Sequence, residues 1–393
     1  MPTLCSHHLC NGCSACAQIC PKNCISMQPD TEGFLHPSLD SQCCVNCGLC
    51  TSVCPVLHPT DVSDSLTGCY AAYNTDEPER EKASSGGIFL LLARWVLNHG
   101  GVVFGAAFDE DFTVSHRSAE TEEAVYAFCG SKYVQSRIGN SYREVQQFLQ
   151  AGRYILFTGT PCQVLGLHHY LGGTHEKLLT ADIICHGVPS PDVWERYVKE
   201  RAAKDNDGIL PKVIRFRAKE TGWSSFSVQF QYADTWYSKR HYEDTFMHGF
   251  LKNLYLRPSC HNCIAKGIGR VSDFTLADFW GIQRIQPDMY DNRGTSLVLL
   301  HTEKASAVWK EISARIKADP TEAETAVNSN SAAIISVDSH PKREDFFARY
   351  KNEDFEKLVW ELVPKEIPVK PTLKQRIRAK IGRVFRRFLC VLK

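Results

Sequence analysis

The chain has 393 residues, 43% of them hydrophobic, with a formal net charge of +1. This length predicts two to three domains with a substantial core, and a charge so close to zero carries no electrostatic signature of a nucleic-acid partner. Eighteen Cys would suit a disulfide-stapled secreted protein only in a short chain with a signal peptide. Residues 1–9 lack a charged start and an apolar run, and no stretch reaches about 18 uninterrupted apolar residues, so a reducing cytoplasm is expected.

The first 55 residues carry the pattern C-x-x-C-x-x-C-x-x-x-C-P twice. It runs through Cys10, Cys13, Cys16, Cys20 and Pro21, and again through Cys44, Cys47, Cys50, Cys54 and Pro55. Two-residue spacers let the backbone curl so that three thiolates cap one 4Fe-4S cube, while the fourth Cys of each run completes the other cube. The spacing therefore assigns Cys10, Cys13, Cys16 and Cys54 to one cluster and Cys44, Cys47, Cys50 and Cys20 to the second. Structural zinc, usually served by two separated C-x-x-C pairs, fits the run poorly. Gly33, Pro29 and Pro37 among short apolar pieces predict a hairpin over residues 25–39. Cys5 and Cys43 lie outside the pattern.

A polar link over 57–67 precedes a strand at 68–73. Ser84, Ser85, Gly86 and Gly87 then open a helix over 88–97, ended by Gly100 and Gly101. A Gly-rich helix entry can hold a phosphate, although an ordinary N-cap explains the same residues. A strand is expected at 102–108. No G-x-G-x-x-G occurs anywhere, which argues against a Rossmann dinucleotide site.

Two later segments share one form. A strand at 154–157 runs into Thr160, Pro161 and Cys162 and a helix over 163–171. A strand at 181–184 runs into Cys185, His186 and Gly187 and a helix over 191–204. In open α/β sheets such turns lie at the carboxyl edge of the strands, where ligands bind. Residues 213–237 alternate apolar and polar, with Phe226, Val228, Phe230 and Tyr232 on one face, as antiparallel strands do. A helix over 244–254 leads to Cys260 and Cys263. With Cys162 and Cys185 these match the count for a third 4Fe-4S cluster, with zinc or buried thiols as the alternatives and Cys129 as a competitor for one place. His186 is a candidate proton donor, although a His after a strand more often has a structural role. Strands at 273–280 and 296–301, a helix at 305–317 and a surface loop at 319–331 follow.

From 371 onward Leu373, Ile377, Ile381, Val384, Phe385, Phe388 and Leu392 recur at three- and four-residue steps, opposite a face rich in Lys and Arg. A basic amphipathic helix of this kind predicts peripheral attachment to an anionic inner-membrane surface through 371–393. Docking on the protein's own body or on a partner is the alternative.

The segments Ser85-Gly86-Gly87, 130–136 (GSKYVQS), 159–163 (GTPCQ), 185–187 (CHG), 257–263 (RPSCHNC) and 278–281 (DFWG) together resemble the beta-subunit family of coenzyme F420 hydrogenase and dehydrogenase over roughly 68–342. A ferredoxin module is fused in front. The resemblance is closest to the fused branch associated with cell-surface polysaccharide synthesis. It implies FAD held by Ser85, Gly86, Gly87, Gly130, Ser131, Lys132 and Tyr133, and a third cluster at Cys162, Cys185, Cys260 and Cys263.

The expected architecture is an α+β ferredoxin-like dicluster domain (1–60) followed by an α/β flavoprotein domain with a mixed sheet. The latter divides into an FAD-binding region (68–150) and a region carrying the third iron–sulfur site (151–342), ahead of a basic helical tail (343–393). The expected function is that of an iron–sulfur flavoprotein oxidoreductase, with three 4Fe-4S clusters and FAD. It would pass electrons between the ferredoxin-type 4Fe-4S clusters, FAD and a small organic acceptor or donor, a deazaflavin or a polysaccharide precursor, with a redox partner protein or a small organic substrate as its partner. A non-catalytic electron-transfer subunit is the alternative.

Overall fold

A computed structural model describes residues 2–365 of the chain; the sequence expectations for 371–393 lie outside them. The hairpin between the two Cys runs forms as β1 (Ile25–Pro29) and β2 (Leu35–Leu39), antiparallel with Ile25 opposite Leu39. Its turn is built by Asp30, whose Oδ1 accepts the amides of Glu32 and Phe34 at 2.9 Å each. Short helices Ala15–Ile19 and Leu49–Ser52 pack beside it.

The body is an eight-stranded mixed sheet. Its strands are β3 (Gly68–Asn74), β4 (Val102–Phe108), β5 (Val114–Ala119), β6 (Ile155–Thr158), β7 (Leu178–Ile183), β11 (Phe274–Asp278), β12 (Ser296–Leu300) and β13 (Ile316–Pro320), in the order β13-β3-β12-β11-β7-β6-β4-β5. Parallel pairing joins β4, β6, β7 and β11, and antiparallel strands extend both sides. Side chains alternate across the sheet. Val103, Leu156 and Leu179 face helices Ile88–Asn98 and Glu303–Ile312. Val102, Phe104, Ile155, Phe157 and Leu178 face helices Ser141–Gln150 and Pro161–Leu171. Cys13, Ala15 and Val53 join that second core, so the dicluster region closes one face of the sheet instead of hanging from a linker.

A separate three-stranded sheet, β10-β9-β8, contains β8 (Val213–Ala218), β9 (Ser227–Gln231) and β10 (Trp236–Arg240). Phe226, Val228, Phe230 and Tyr232 are all buried, as their alternation predicts, against helices Pro191–Asp205, Thr245–Leu251 and Phe355–Leu362.

Two expectations need correction. The helix expected to continue to 317 stops at Ile312, and Ile316–Pro320 instead pairs antiparallel with β3. The open edge of β3 offers unpaired backbone groups, and satisfying them outweighs local helical preference. The segment 319–331, expected as a surface loop, contains the helix Ala323–Asn328, which buries Ala326 and Val327. Among the described residues, no helix is long and apolar enough to cross a membrane.

Candidate functional site

The first Cys run and the last Cys of the second converge. Cys10, Cys13, Cys16 and Cys54 line one cavity of about 20 Å³, together with Asn11, Cys5 and Cys50, the last of which also lines the second cavity. Cys20, Cys44, Cys47 and Cys50 line another of about 10 Å³, together with Cys24. Left-handed backbone at Gly12 (φ 70°), Ser14 (64°), Asn46 (55°) and Gly48 (76°) curls each loop round its cavity. Amides turn toward sulfur, with Asn46 N 3.4 Å from Cys44 Sγ and Cys24 N 3.4 Å from Cys20 Sγ. Burial pushes Cys16 up to about 12 and Cys13 well above the ordinary thiol value. Cys10 differs: burial raises it, but a hydrogen bond from His36 and the nearby Arg257 guanidinium carry it below that value. Cys24 is a neighbour that the spacing pattern does not reveal; its Sγ lies 3.7 Å from that of Cys20.

The four remote thiols also meet. Cys162 occupies the first turn of helix Pro161–Leu171, where Thr160 N donates to Gln163 Oε1 at 2.9 Å. Cys185 follows β7, the parallel neighbour of β6, so both turns lie at the carboxyl edge. Cys260 sits in the 3₁₀ turn Pro258–Asn262, and Cys263 ends it. All four line one cavity of about 30 Å³, no tighter than the two dicluster cavities. Burial pushes Cys162, Cys185 and Cys260 up to about 12, and the neighbouring thiols add to the rise. Four sulfurs converging on one closed cavity form a ligand set of the size that 4Fe-4S clusters and structural zinc use. Cys129 stands apart, in the wall of a separate cleft. His186 lines the four-cysteine cavity, with Nε2 2.7 Å from Asn253 Oδ1 and its ring 5.2 Å from Phe250; burial lowers its pKa.

Arg257 lies between the first dicluster cavity and this one. It is 0% exposed. Its Nε donates to Cys10 O at 2.7 Å, Nη1 to Gln135 Oε1 at 2.8 Å and Nη2 to Leu35 O at 2.9 Å. Asn11 lines both cavities. Elsewhere the dicluster region is held by Arg143, which donates to Gln18 O at 2.7 Å and Asn23 Oδ1 at 2.8 Å, and by the fork of Arg343 on Glu32.

A cavity of about 550 Å³, larger than these three, is a cleft between the main sheet and β8. Lys82, Lys132, Arg215, Arg217 and Lys219 line it against only Glu81 and Glu220, with Phe108, Tyr126 and Phe216 as apolar walls. Arg217 is braced by Asp278 at 2.8 and 3.0 Å and by Tyr133 Oη at 3.2 Å, while its buried Nε has no partner. Lys132 Nζ donates to the carbonyls of Ala127 (2.8 Å) and Cys129 (3.0 Å), and Lys219 Nζ to those of Arg80 (2.7 Å) and Arg293 (2.8 Å). Burial pushes both lysines down to about 8. Gly130 and Ser131 also face the cleft.

Ser85, Gly86 and Gly87 do not line this cleft. Ser85 Oγ donates to Thr295 O, Gly86 N donates to Ser296 Oγ and a Cβ on Gly86 would collide with the backbone of β3 and β12. Gly87 supplies the left-handed N-cap (φ 82°) of helix Ile88–Asn98. Ser84, their neighbour, does line the cleft, and its Oγ accepts from Ser131 N at 2.6 Å. Nothing local in the sequence marks Arg217 and Lys219, because the elements that face their strand across the cleft are distant in the chain.

Residues 9–57 match the 4Fe-4S dicluster domain model, which makes the chain an iron–sulfur protein of the electron-transfer class. Residues 152–325 match the model for the C terminus of the coenzyme F420 hydrogenase/dehydrogenase beta subunit, so this part of the chain is similar to that beta-subunit family, with a dicluster domain in front of it. Among solved structures, a chain of the F420-reducing NiFe hydrogenase complex from Methanosarcina barkeri is similar at 17% identity. The match covers 76% of this chain and 89% of that one with a TM-score of 0.47, a likeness too distant to bear on function. A comparison with curated proteins gave no match.

Proposed function

We propose that this protein is an iron–sulfur flavoprotein oxidoreductase, with a third 4Fe-4S cluster held by Cys162, Cys185, Cys260 and Cys263 and FAD in the cationic cleft. The observation that carries this reading is the position of the four-cysteine cavity between the two other sites. On one side it shares Asn11 with the Cys10 cavity. On the other, His186 meets Phe250 at 5.2 Å, Phe250 meets Tyr133 at 5.2 Å and Tyr133 meets Phe216 in the cleft wall at 5.4 Å. A zinc ion in that position would interrupt a redox relay, whereas a cluster extends it.

The cleft supports a phosphate-bearing ligand. Its volume falls within the range of small-molecule sites, and five cations facing two carboxylates favour a diphosphate through charge-assisted hydrogen bonds. FAD, when bound, converts single electrons from clusters into a hydride for an organic acceptor. Lys132, Arg217 and Lys219 would hold its phosphates, and Phe108, Tyr126 and Phe216 would cover apolar surface. Ser85, Gly86 and Gly87 serve this reading by fixing the helix entry that presents Ser84.

The test is anaerobic reconstitution followed by metal and flavin analysis. About twelve irons per chain are expected, falling to about eight in Cys260→Ser/Cys263→Ser, together with stoichiometric FAD. About eight irons with one zinc in the unaltered chain would overturn the third cluster. Absence of flavin binding would leave an electron-transfer subunit without its own substrate chemistry. With flavin bound, a screen of deazaflavin, quinone and nucleotide-sugar acceptors identifies the substrate class.

A further inference from the structure

We propose that Arg257 is a positioning residue that sets the reduction potentials of the two centres on either side of it, the cluster at Cys10, Cys13, Cys16 and Cys54 and the one at Cys162, Cys185, Cys260 and Cys263. The second half of this statement rests on the third-cluster reading above.

Charge around Arg257 does not balance within the polypeptide. The guanidinium is fully buried, and a buried charge is costly unless paired or set against a metal centre. Its direct acceptors are the carbonyls of Cys10 and Leu35 and the amide oxygen of Gln135, with the His36 ring nitrogens at 3.3 and 3.4 Å. Among the described residues, no carboxylate forms an ion pair with it. The nearby Asp30 is engaged by His36 at 3.2 Å. What does flank the guanidinium is sulfur. Arg257 lines the four-cysteine cavity, and Nε is bonded to the backbone of Cys10. A 4Fe-4S cluster with four thiolates is an anion in both oxidation states and gains one more negative charge on reduction, and local charge is among the terms that set its potential. Arg257 therefore finds its missing counter-charge on both sides, and it stabilises an added electron at either site.

The geometry leaves the guanidinium little freedom. A Cβ on Gly12 would meet Nη1 at 2.9 Å, and Phe34 lies under Cζ at 5.4 Å. The second dicluster cavity, at Cys20, Cys44, Cys47 and Cys50, does not include Arg257. It provides an internal control.

The experiment is an EPR-monitored redox titration of the fully loaded protein. Arg257→Gln is expected to disfavour reduction of the Cys10 centre and of the third centre at least tenfold each, about 59 mV downward for one electron, with a smaller change at the Cys20 centre. Gln135→Glu, which places a carboxylate on Nη1 while keeping the arginine, is expected to shift the same two centres in the same direction. Arg257→Lys, which keeps the charge, should hold both within that tenfold limit. Unchanged potentials in loaded Arg257→Gln or Gln135→Glu protein, or an equal shift at all three centres, overturns the proposal. So does loss of iron from both variants, which would mark a purely structural role. If Arg257→Gln alone fails to load, Gln135→Glu decides. An unaltered protein with about eight irons removes the third-cluster reading separately, and the shift at the Cys10 centre then decides the role of Arg257 there.

Discussion

Gly166 lies against Cys13: a Cβ at Gly166 would stand 2.7 Å from the Cys13 Cβ and 3.0 Å from its Sγ. Gly166 is one turn beyond Cys162 on helix Pro161–Leu171, so a single helix contributes a ligand candidate to one centre and the floor of another. Residues four apart share a helix face, and this face is where the dicluster region docks.

Gly166→Val is therefore expected to displace Cys13. Overpacking of this kind costs about 1–3 kcal/mol, and here it falls on one cluster. Iron content should drop by about four per chain, with loss of one EPR signal. Full iron content with an unchanged spectrum would show that the contact relaxes harmlessly.

Gly86→Ala separates packing from ligand binding. The added methyl would lie 2.9 Å from Ser296 N and against the carbonyl of Ala72, and backbone cannot move aside as a side chain end can. A loss of about 1–3 kcal/mol is expected, read as a lower Tm, with FAD affinity in the folded protein close to native. Loss of FAD affinity at unchanged Tm would instead assign the glycine to the cofactor.

Lys219→Met and Lys132→Met should each weaken FAD binding. A hydrogen bond to a charged group contributes about 1.5–3 kcal/mol, which corresponds to roughly 10- to 150-fold in Kd. Isothermal titration of the flavin-free protein measures it. Native affinity in both variants would move the phosphates elsewhere.

The same lysines give the binding a pH dependence. Burial pushes both down to about 8 in the empty cleft, so both are ammonium below that pH and lose charge above it. FAD affinity should be level up to about pH 8 and fall beyond. The stability of the flavin-free protein should run the other way. The unfolded lysines, with pKa about 10.4, bind more protons than the folded ones between about 8 and 10.4, so this contribution rises with pH across that window. Lys219→Met should flatten both trends. Parallel trends in affinity and stability would contradict the assignment.

What could be read from the sequence was what local spacing determines. The two cysteine runs mark an iron–sulfur region because each repeats the C-x-x-C-x-x-C-x-x-x-C-P spacing within one short segment, and in the fold two cavities gather their eight cysteines, with Cys50 in the wall of both. The alternation at Phe226, Val228, Phe230 and Tyr232 likewise placed a buried face, since a strand repeats every two residues. Tertiary structure alone decided the rest. Cys162, Cys185, Cys260 and Cys263 are far apart in the chain and meet because β6 and β7 are parallel neighbours whose ends open on one edge, a pairing made across the sheet. Arg217 and Lys219 line a cleft because another element covers their strand, and Arg257 is buried because the dicluster region docks over it. Hydrophobic period and turn spacing are local quantities. Burial and the charge opposite a side chain depend on which distant element packs there, and that is decided only when the chain folds.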